Sequence, residues 1–390
     1  MFRRLFRKTP LAWLQISRQK ARLLVATAGI AFADLLMFVQ LGMQDALFDS
    51  QVRPYATLDG DLFLVNKLSD NLASVRSFSR DNLYQASGIE GVASINSLYI
   101  SGQSDWRNPE NLANRRIFIY GIDPEYPAFN LPEVNQHLDE LKLLNRALFD
   151  RAGGLPQLGN IPALLEEQSP LAVQVNDLEI QIVGLFVLGS SFSAEGNLIT
   201  SDSTFLRLFP QRQANDIDVG IIQVEPNANI EQIQTELLAI LPDDLLVLTL
   251  DEFTARERNY WETGSVIGYI FGFGVMIGFL VGTVVVYQII YTDVSDHLPE
   301  YATLKAIGYG DTYLVGVILQ EALILAIFGF IPGFLLSNGL YSLFRSATLL
   351  PIGMKASRAT VVLTLTVIMC VGSGAIAMRK LRQADPADVF

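Results

Sequence analysis

Residues 264–291 read GSVIGYIFGFGVMIGFLVGTVVVYQIIY, without one charged side chain. About 20 apolar residues are enough for an α-helix to cross the roughly 30 Å hydrocarbon core of a bilayer. Three other apolar runs of that length lie at residues 23–43, 313–340 and 359–378. The long stretch between the first and second runs has the polar composition of a soluble domain. The sequence therefore predicts four transmembrane helices, with a large α/β domain between the first and the second.

The apolar runs and the segments between them divide the chain. The predicted fold class is a membrane α-helical protein with an extracytoplasmic α/β domain. Its segments are a basic amphipathic helix at 1–22, the first span at 23–48, the α/β domain with two lobes at 49–250, a stalk and the second span at 251–291, a cytoplasmic coupling loop at 292–312, the third span at 313–340, a short periplasmic loop at 341–358, the fourth span at 359–378 and a cytoplasmic tail at 379–390. The alternative for 1–22 is a disordered basic tail.

The distribution of charge predicts how the chain is oriented in the inner (plasma) membrane. Residues 1–22 carry seven lysines and arginines and no acidic residue, and such segments stay in the cytoplasm. Four spans then return the C-terminus to the cytoplasm, where Arg379, Lys380 and Arg382 agree with this orientation. Residues 45–262 must lie outside, with 32 acidic and 14 basic side chains and hence a net charge of −18. That charge argues against binding to nucleic acid or to anionic headgroups.

Within the outer segment, strands and helices alternate. Runs rich in β-branched and aromatic residues predict strands at 61–66, 116–120, 172–175, 180–188 and 219–224. Helices are predicted at 138–149 and 230–241, and a region rich in Gly, Pro and Leu at 152–170 is predicted to join two lobes.

Two predicted span helices extend beyond the membrane. The first continues through 44–48 without a breaker before Pro54, and the second is predicted to begin near Asp251, because 251–262 contains neither Gly nor Pro. The alternative to a helical stalk is that these stretches fold into the outer domain as ordinary helices.

The second predicted span carries two series of glycines, each with a spacing of four residues. Small residues at this spacing let another helix approach closely, and packing drives the association of helices in lipid. We predict a tight helix–helix contact, within the protomer or across a homodimer, formed by Gly264, Gly268, Gly272, Gly274, Gly278 and Gly282. The alternative is that glycine is simply common in membrane helices.

Two acidic residues interrupt the predicted spans, Asp34 in the first and Glu321 in the third. An ionisable group inside a membrane is costly and is a functional candidate. No lysine or arginine within the predicted spans can pair with them, so we expect each to be protonated or to hydrogen-bond a polar side chain such as Gln40, Gln288 or Gln320. A hydrogen bond between helices and a proton relay are the two interpretations.

The short loop after the second span reads TDVSDHLPEYATLKAIGYGDT over residues 292–312. Its residue types predict a short helix that is capped by Ser295 or Asp296, has Pro299 in its first turn and ends at Gly308. An apolar face at helical spacing indicates that this helix docks on a partner. The alternative is a helix resting on the lipid surface, against which the loop's net charge of −3 argues. The predicted docking residues are Asp296, Leu298, Glu300, Tyr301, Leu304, Lys305, Ile307 and Gly308.

The sequence contains no recognisable catalytic constellation. His137 and His297 fall on opposite sides of the membrane in the predicted topology, and there is no GxxxxGK[ST] run to hold nucleotide phosphates. The one cysteine, Cys370, lies in the fourth span, so no disulfide forms within the chain. We expect no catalytic residue, no metal site and no cofactor in this chain.

At the coupling loop the chain resembles the permease family that includes MacB, LolC/LolE and FtsX. EYATLKAIGY at 300–309 is similar to the family's E-x-x-x-L-(K/R)-A-(I/L/M)-G signature, and Arg379 followed by Asp385-Pro386-Ala387 resembles the family's C-terminus. The longer run SDHLPEYATLKAIGY at 295–309 most resembles the cyanobacterial DevC type. The resemblance extends over essentially the full length of the chain.

The resemblance implies a homodimeric ABC exporter permease of the MacB-like (type VII) class. ATP and Mg²⁺ would bind a separate DevA-like ATPase on the 296–308 loop, and a DevB-like periplasmic adaptor and a TolC-like outer-membrane channel would complete the exporter. Such permeases transmit motion to their periplasmic domains rather than thread cargo through their spans, so this mechanotransmission is the expected mechanism. The rival hypothesis is a regulator of the FtsX kind that activates cell-wall hydrolases without transport. A membrane-bound sensor or enzyme has no supporting site.

Overall fold

The computed structural model describes residues 20–154, 157–191, 193–348 and 350–383. These residues fall into two compact units, which we describe separately. The helical unit comprises residues 20–45, 266–346 and 352–383, and the sheet unit comprises 46–265 and 347–351 within the described ranges. Most of the predicted amphipathic helix at 1–22 and the end of the predicted tail lie outside the described residues.

Helices and strands are numbered separately along the chain. The helices are α1 (Lys20–Ala56), α2 (Arg80–Ala86), α3 (Pro132–Gln136), α4 (Leu138–Leu141), α5 (Ile161–Glu167), α6 (Asp202–Leu208), α7 (Ile230–Ile240), α8 (Leu250–Asn259), α9 (Val266–Asp296), α10 (Leu298–Ala306), α11 (Asp311–Thr348) and α12 (Ala356–Gln383). The strands are β1 (Leu62–Asn66), β2 (Phe78–Ser79), β3 (Val92–Arg107), β4 (Asn114–Ile122), β5 (Arg146–Asp150), β6 (Leu171–Val175), β7 (Leu178–Phe186), β8 (Gly196–Ser201), β9 (Asp216–Ile217), β10 (Val219–Val224) and β11 (Leu245–Thr249).

Four helices are long and apolar enough to cross a membrane, namely α1, α9, α11 and α12. Each of them contributes side chains to one buried cluster in the helical unit, including Ile30, Val286, Ile318 and Met369. The prediction of four membrane helices, with an α/β domain between the first and second, is confirmed. Helix α1 continues past the predicted breaker Pro54 and ends at Ala56.

The sheet unit is built on one nine-stranded sheet in the order β11-β1-β10-β3-β4-β8-β5-β7-β6. The long strand β3 pairs with β10 on one side and with β4 on the other, and its last residues, Trp106 and Arg107, pair with β6. Strands β3, β4, β8, β5, β7 and β6 therefore form a closed circuit. Strands β1, β10 and β11 extend the sheet outward from β3. The 152–170 region connects β5 to β6 within the closed circuit, so the prediction that it joins two lobes is wrong.

Both faces of the central strands are buried. Along β1, Leu62 and Leu64 enter one apolar cluster, and Phe63 and Val65 enter another. Side chains alternate between the two faces of a strand, and a strand that is covered on both faces therefore reads as a continuous apolar run. Helix α7 covers the first face with Ile233 and Leu237.

The predicted helix at 138–149 is wrong in its second half. Helix α4 ends at Leu141, and the chain then turns through Asn145, whose φ is +62°, into strand β5. Ala147, Leu148 and Phe149 are fully buried. Burial between β7 and β8 on the two sides of β5 overrides the helix propensity of this Leu-rich stretch. The helix predicted at 230–241 is confirmed as α7.

The predicted helical stalk before the second span is interrupted. Helix α8 begins with a capping box in which Thr249 and Glu252 each bond the other's backbone N–H. It passes into a π-helical turn, Tyr260–Gly264, and Ser265 then adopts an extended conformation before α9 begins. Phe253 packs in the core of the sheet unit. The residues from Asp251 onward therefore follow the alternative to a helical stalk, because α8 folds into the sheet unit as an ordinary helix.

Candidate coupling surface and buried polar sites

Helix α10 lies in the predicted coupling loop and has the predicted ending. Pro299 lies in its first turn, and Gly308 follows with a φ of +104°, a conformation that favours glycine. The N–H of Gly308 donates to the carbonyl of Lys305 and the N–H of Tyr309 donates to the carbonyl of Leu304, at 2.9 and 3.0 Å. These two bonds form a Schellman motif. The predicted N-terminal cap is wrong, because His297 occupies that position and the Ser295 hydroxyl donates to the Tyr291 carbonyl.

The two sides of α10 have different environments. Tyr301 is fully buried in the core of the helical unit, where Leu298 and Leu304 pack partly buried beside it. Glu300 is exposed, and Ile307, just after the helix, keeps 70% of its surface exposed. The predicted docking set is therefore divided: the apolar face anchors α10 to the bundle, and the opposite side is open to a partner. The assignment of Tyr301 as a surface contact is corrected in this structure.

An ion pair holds the chain just before α10. The Arg22 guanidinium of α1 lies 3.0 Å from the Asp296 carboxylate and 3.2 Å from the Asp293 carboxylate. Asp296 therefore ties the end of α9 to α1, while 60% of its side chain remains exposed. Lys305 is half-buried on the other end of the helix.

The second glycine series packs inside the protomer. A Cβ added at Gly274 would lie 2.5 Å from the Gln40 side chain, and one at Gly282 would lie 2.7 Å from the Cβ of Ala33. At Gly278 the nearest atoms belong to Met37, at 3.2 Å. Three turns of α9 thus lie directly against α1 because they lack side chains.

The first glycine series does not form one surface. Gly264 belongs to the π-helical turn that precedes α9, whereas Gly268 is buried in α9. A Cβ at Gly272 would meet nothing within 4 Å. The extended Ser265 therefore separates Gly264 from the other two glycines, and Gly272 lies on a side of α9 that the described residues do not cover.

Asp34 forms a hydrogen bond between helices. It is fully buried, and its Oδ1 lies 2.6 Å from the hydroxyl of Thr366 in α12. That hydroxyl also lies 2.8 Å from the carbonyl of Val362. Threonine has a single hydroxyl hydrogen, so both contacts are satisfied when Thr366 donates to the carbonyl and a protonated Asp34 donates to Thr366. The glutamines named as candidate partners are not used.

Glu321 lies in a charged environment that the sequence did not indicate. It is 2% exposed and lines a narrow cleft together with Arg22, Asp293 and apolar side chains. The carboxyl groups of Glu321 and Asp293 thus lie in the same cleft as the Arg22 guanidinium. Arg22 lies just outside the predicted first span, so the prediction that no basic residue within the spans pairs with Glu321 did not consider it; α1 begins at Lys20 and carries Arg22 into the bundle.

The comparison with known families matches residues 271–386 to the family described as FtsX-like permease C-terminal. Residues 271–386 are therefore similar to the C-terminal domain of FtsX-like permeases. The matched residues include most of α9, all of α10 and α11, and the EYATLKAIGY run at 300–309. The resemblance drawn from that run is therefore confirmed for this part of the chain. Among curated proteins, none matches the chain.

Two solved structures are each similar to about half of the chain. The periplasmic region of MacB from Actinobacillus actinomycetemcomitans is 14% identical, with a TM-score of 0.37, over 52% of this chain and 95% of that one. The extracellular domain of the noncanonic ABC-type transporter YknZ from Gram-positive bacteria is 16% identical, with a TM-score of 0.34, over 49% of this chain and 99% of that one.

The region that matches the FtsX-like family also contains a buried arginine that the sequence did not indicate. Arg358, at the start of α12, forms an ion pair of 2.6 Å with Asp45 of α1 and donates to the carbonyl of Gly353. Its guanidinium lies 5.3 Å from the ring centre of Tyr341, whose hydroxyl donates to the carbonyl of Phe38. Asp45 follows the first apolar run and Arg358 precedes the fourth. Opposite charges at the ends of two apolar runs are the signal that could have indicated this pair.

Proposed function

We propose that this chain is the permease subunit of an ABC-type tripartite exporter. In this proposal a separate DevA-like ATPase docks on the coupling loop of a homodimer and drives motion of the sheet unit. The sheet unit expels lipid-like or other periplasmic cargo through a DevB-like adaptor and a TolC-like channel. The observation that carries the proposal is the FtsX-like domain, in which a short helix is anchored on one side and open on the other.

The anchored side of α10 suits a helix that transmits force. Tyr301 inserts into the core of the helical unit, and Leu298 and Leu304 pack beside it. The Arg22–Asp296 ion pair holds the preceding residues. A displacement imposed on α10 therefore moves α9 and α1 as well, rather than only bending a loop.

The open side of α10 suits a partner with an apolar pocket. Ile307 offers a large apolar side chain that is 70% exposed. A fitting surface on the ATPase has an apolar pocket for Ile307. Apolar anchors that fill a partner's pocket contribute most of the binding energy in such interfaces.

One substitution separates docking from folding. Ile307→Asp replaces an exposed side chain, so we expect the full chain in lipid nanodiscs to keep its thermal stability. We expect its stimulation of the partner ATPase to fall by about tenfold or more, because the substitution places a charge in an apolar pocket. Ile240→Asp is the matched control, since Ile240 is 50% exposed in the sheet unit. Equal ATPase stimulation by the Ile307 variant and the parent chain would refute the docking assignment.

A second experiment separates the exporter from the regulator. The tagged chain is purified from its native membrane after gentle crosslinking, and the bound proteins are identified by mass spectrometry. We expect an ABC ATPase, an adaptor and an outer-membrane channel. An ATPase together with cell-wall hydrolases would instead establish the FtsX-like regulator.

A further inference from the structure

Three membrane helices bring a cluster of charged side chains together inside the helical unit. Arg22 comes from α1, Asp293 from the last turn of α9, and Glu321 from α11. Arg22 lies 3.2 Å from Oδ1 of Asp293, and Glu321 lines the same narrow cleft as these two residues. We call these three residues the acid-pair cluster.

Both carboxyl groups of the acid-pair cluster are buried and incompletely satisfied. Asp293 is 6% exposed and Glu321 is 2% exposed. Oδ2 of Asp293 and Oε2 of Glu321 each have no hydrogen-bond partner among the described residues. Buried polar atoms in folded proteins nearly always have a partner. Two orphan acceptors in carboxyl groups of one cleft lack the same thing, namely a donor hydrogen.

The charges around the two carboxyl groups also indicate that a hydrogen is missing between them. Two ionised carboxylates that share a site away from water repel each other strongly. Arg22 supplies one positive charge, and it is shared with the more exposed Asp296. The ring Nδ1 of His297 lies 3.0 Å from the Asp293 carbonyl and 3.6 Å from its carboxylate, and hydrogen-bonds the carbonyl. Arg22 thus balances one carboxylate, and the second charge is left without a counterion among the described groups that face the pair.

We propose that Asp293 and Glu321 bind one proton between them. The resulting hydrogen bond joins the end of α9 to α11. The shared hydrogen satisfies both orphan oxygens and leaves a single negative charge for Arg22. Because α10 begins just after Asp296, this hydrogen bond also holds the start of α10 in place. Loss of the proton leaves two like charges in one cleft and loosens that end of α9. This site stands independently of the exporter proposed above.

The test is the pH dependence of thermal stability for the full chain in lipid nanodiscs. The folded protein holds a proton that the unfolded chain releases at neutral pH, so the melting temperature should fall as the pH rises. Glu321→Gln supplies an amide N–H to Asp293 at every pH, and we expect it to remove the contribution of one proton from this slope, leaving that of other buried carboxyl groups such as Glu257. Glu166→Gln is the control, because Glu166 is an exposed carboxylate of the sheet unit, and we expect it to keep the full slope. An unchanged slope in Glu321→Gln overturns the proposal.

A second measurement observes the proton directly. In infrared difference spectra recorded during alkaline titration, the parent chain should lose a protonated carboxyl band that Glu321→Gln does not show, unchanged when sodium is replaced by choline. Identical difference spectra for the parent chain and Glu321→Gln would overturn the proposal. A melting temperature that rises with sodium at fixed pH would also overturn it, in favour of a bound cation.

Discussion

The buried carboxyl of Glu257 in α8 makes the stability of the sheet unit depend on pH. Glu257 is 2% exposed and accepts hydrogen bonds from the N–H of Leu72 at 3.0 Å and from the indole of Trp261 at 2.7 Å. Burial is the largest cause that raises its pKa, from 4.5 to about 7, and the two hydrogen bonds oppose it. The folded protein therefore retains a proton in a pH range where the unfolded chain has lost it.

This difference has a definite sign and size. Below pH 4.5 both states are protonated, and Glu257 contributes no pH dependence. Between pH 4.5 and about 7 the unfolded state ionises first, so the free energy of unfolding falls by about 1.4 kcal/mol for each pH unit, or about 3 kcal/mol in all. Glu257→Gln carries no titratable group there. Its free energy of unfolding should change by about 3 kcal/mol relative to the parent chain across this interval.

The assay is urea unfolding of the full chain in nanodiscs at a series of pH values, followed by tryptophan fluorescence. Glu252→Gln on the same helix is the control with the opposite sign. The N–H of Thr249 bonds the Glu252 carboxylate and is the main cause that lowers its pKa, so its contribution is present above the unfolded pKa and is lost as the pH falls. If the curves for the parent chain and Glu257→Gln ran parallel from pH 4.5 to about 7, the reasoning would be refuted.

Three further predictions concern the helical unit. Asp34→Asn should leave export and ATPase stimulation nearly unchanged, because an amide N–H can replace the protonated carboxyl at Thr366; a large loss of activity in a transport assay would favour a proton relay. Gly282→Leu should destabilise the protomer by about 1–3 kcal/mol through overpacking, whereas Gly272→Leu should leave thermal unfolding unchanged and, if α9 pairs across a homodimer, shift the mass measured by light scattering. Arg358→Met should cost about 3 kcal/mol, since it leaves the paired carboxylate without its partner; equal melting temperatures for the variant and the parent chain would contradict this.

The features that could be predicted from the sequence are those that depend on local chemistry. Hydropathy alone located the four membrane helices, and a proline and a glycine at the right spacing located α10. The inward and outward sides of α10 could not be separated, because the apolar positions that suit a partner also suit the bundle. Tyr301 and Ile307 differ in burial for a reason that lies in the packing of α9 and α11, which local spacing does not reveal.

The features that the sequence did not predict all depend on contacts between residues that are far apart in the chain. Strand β5 lies in a Leu-rich stretch whose local preference is helical, and only its neighbours β7 and β8 make it a strand. Arg22 and Asp293 are 271 positions apart in the chain. No spacing rule connects residues at that separation, so the acid-pair cluster could not be predicted.

The central claim is that an ABC ATPase docks on the open side of α10, and crosslinking from one position tests it most directly. The only cysteine of the chain, Cys370, is fully buried, so Ile307→Cys provides the one exposed thiol. A bifunctional thiol reagent applied to native membranes should join this position to an ABC ATPase. It should not do so from Tyr84→Cys, a position that is 56% exposed in the sheet unit. A product from position 307 without an ATPase, or equal ATPase capture from both positions, would contradict the account.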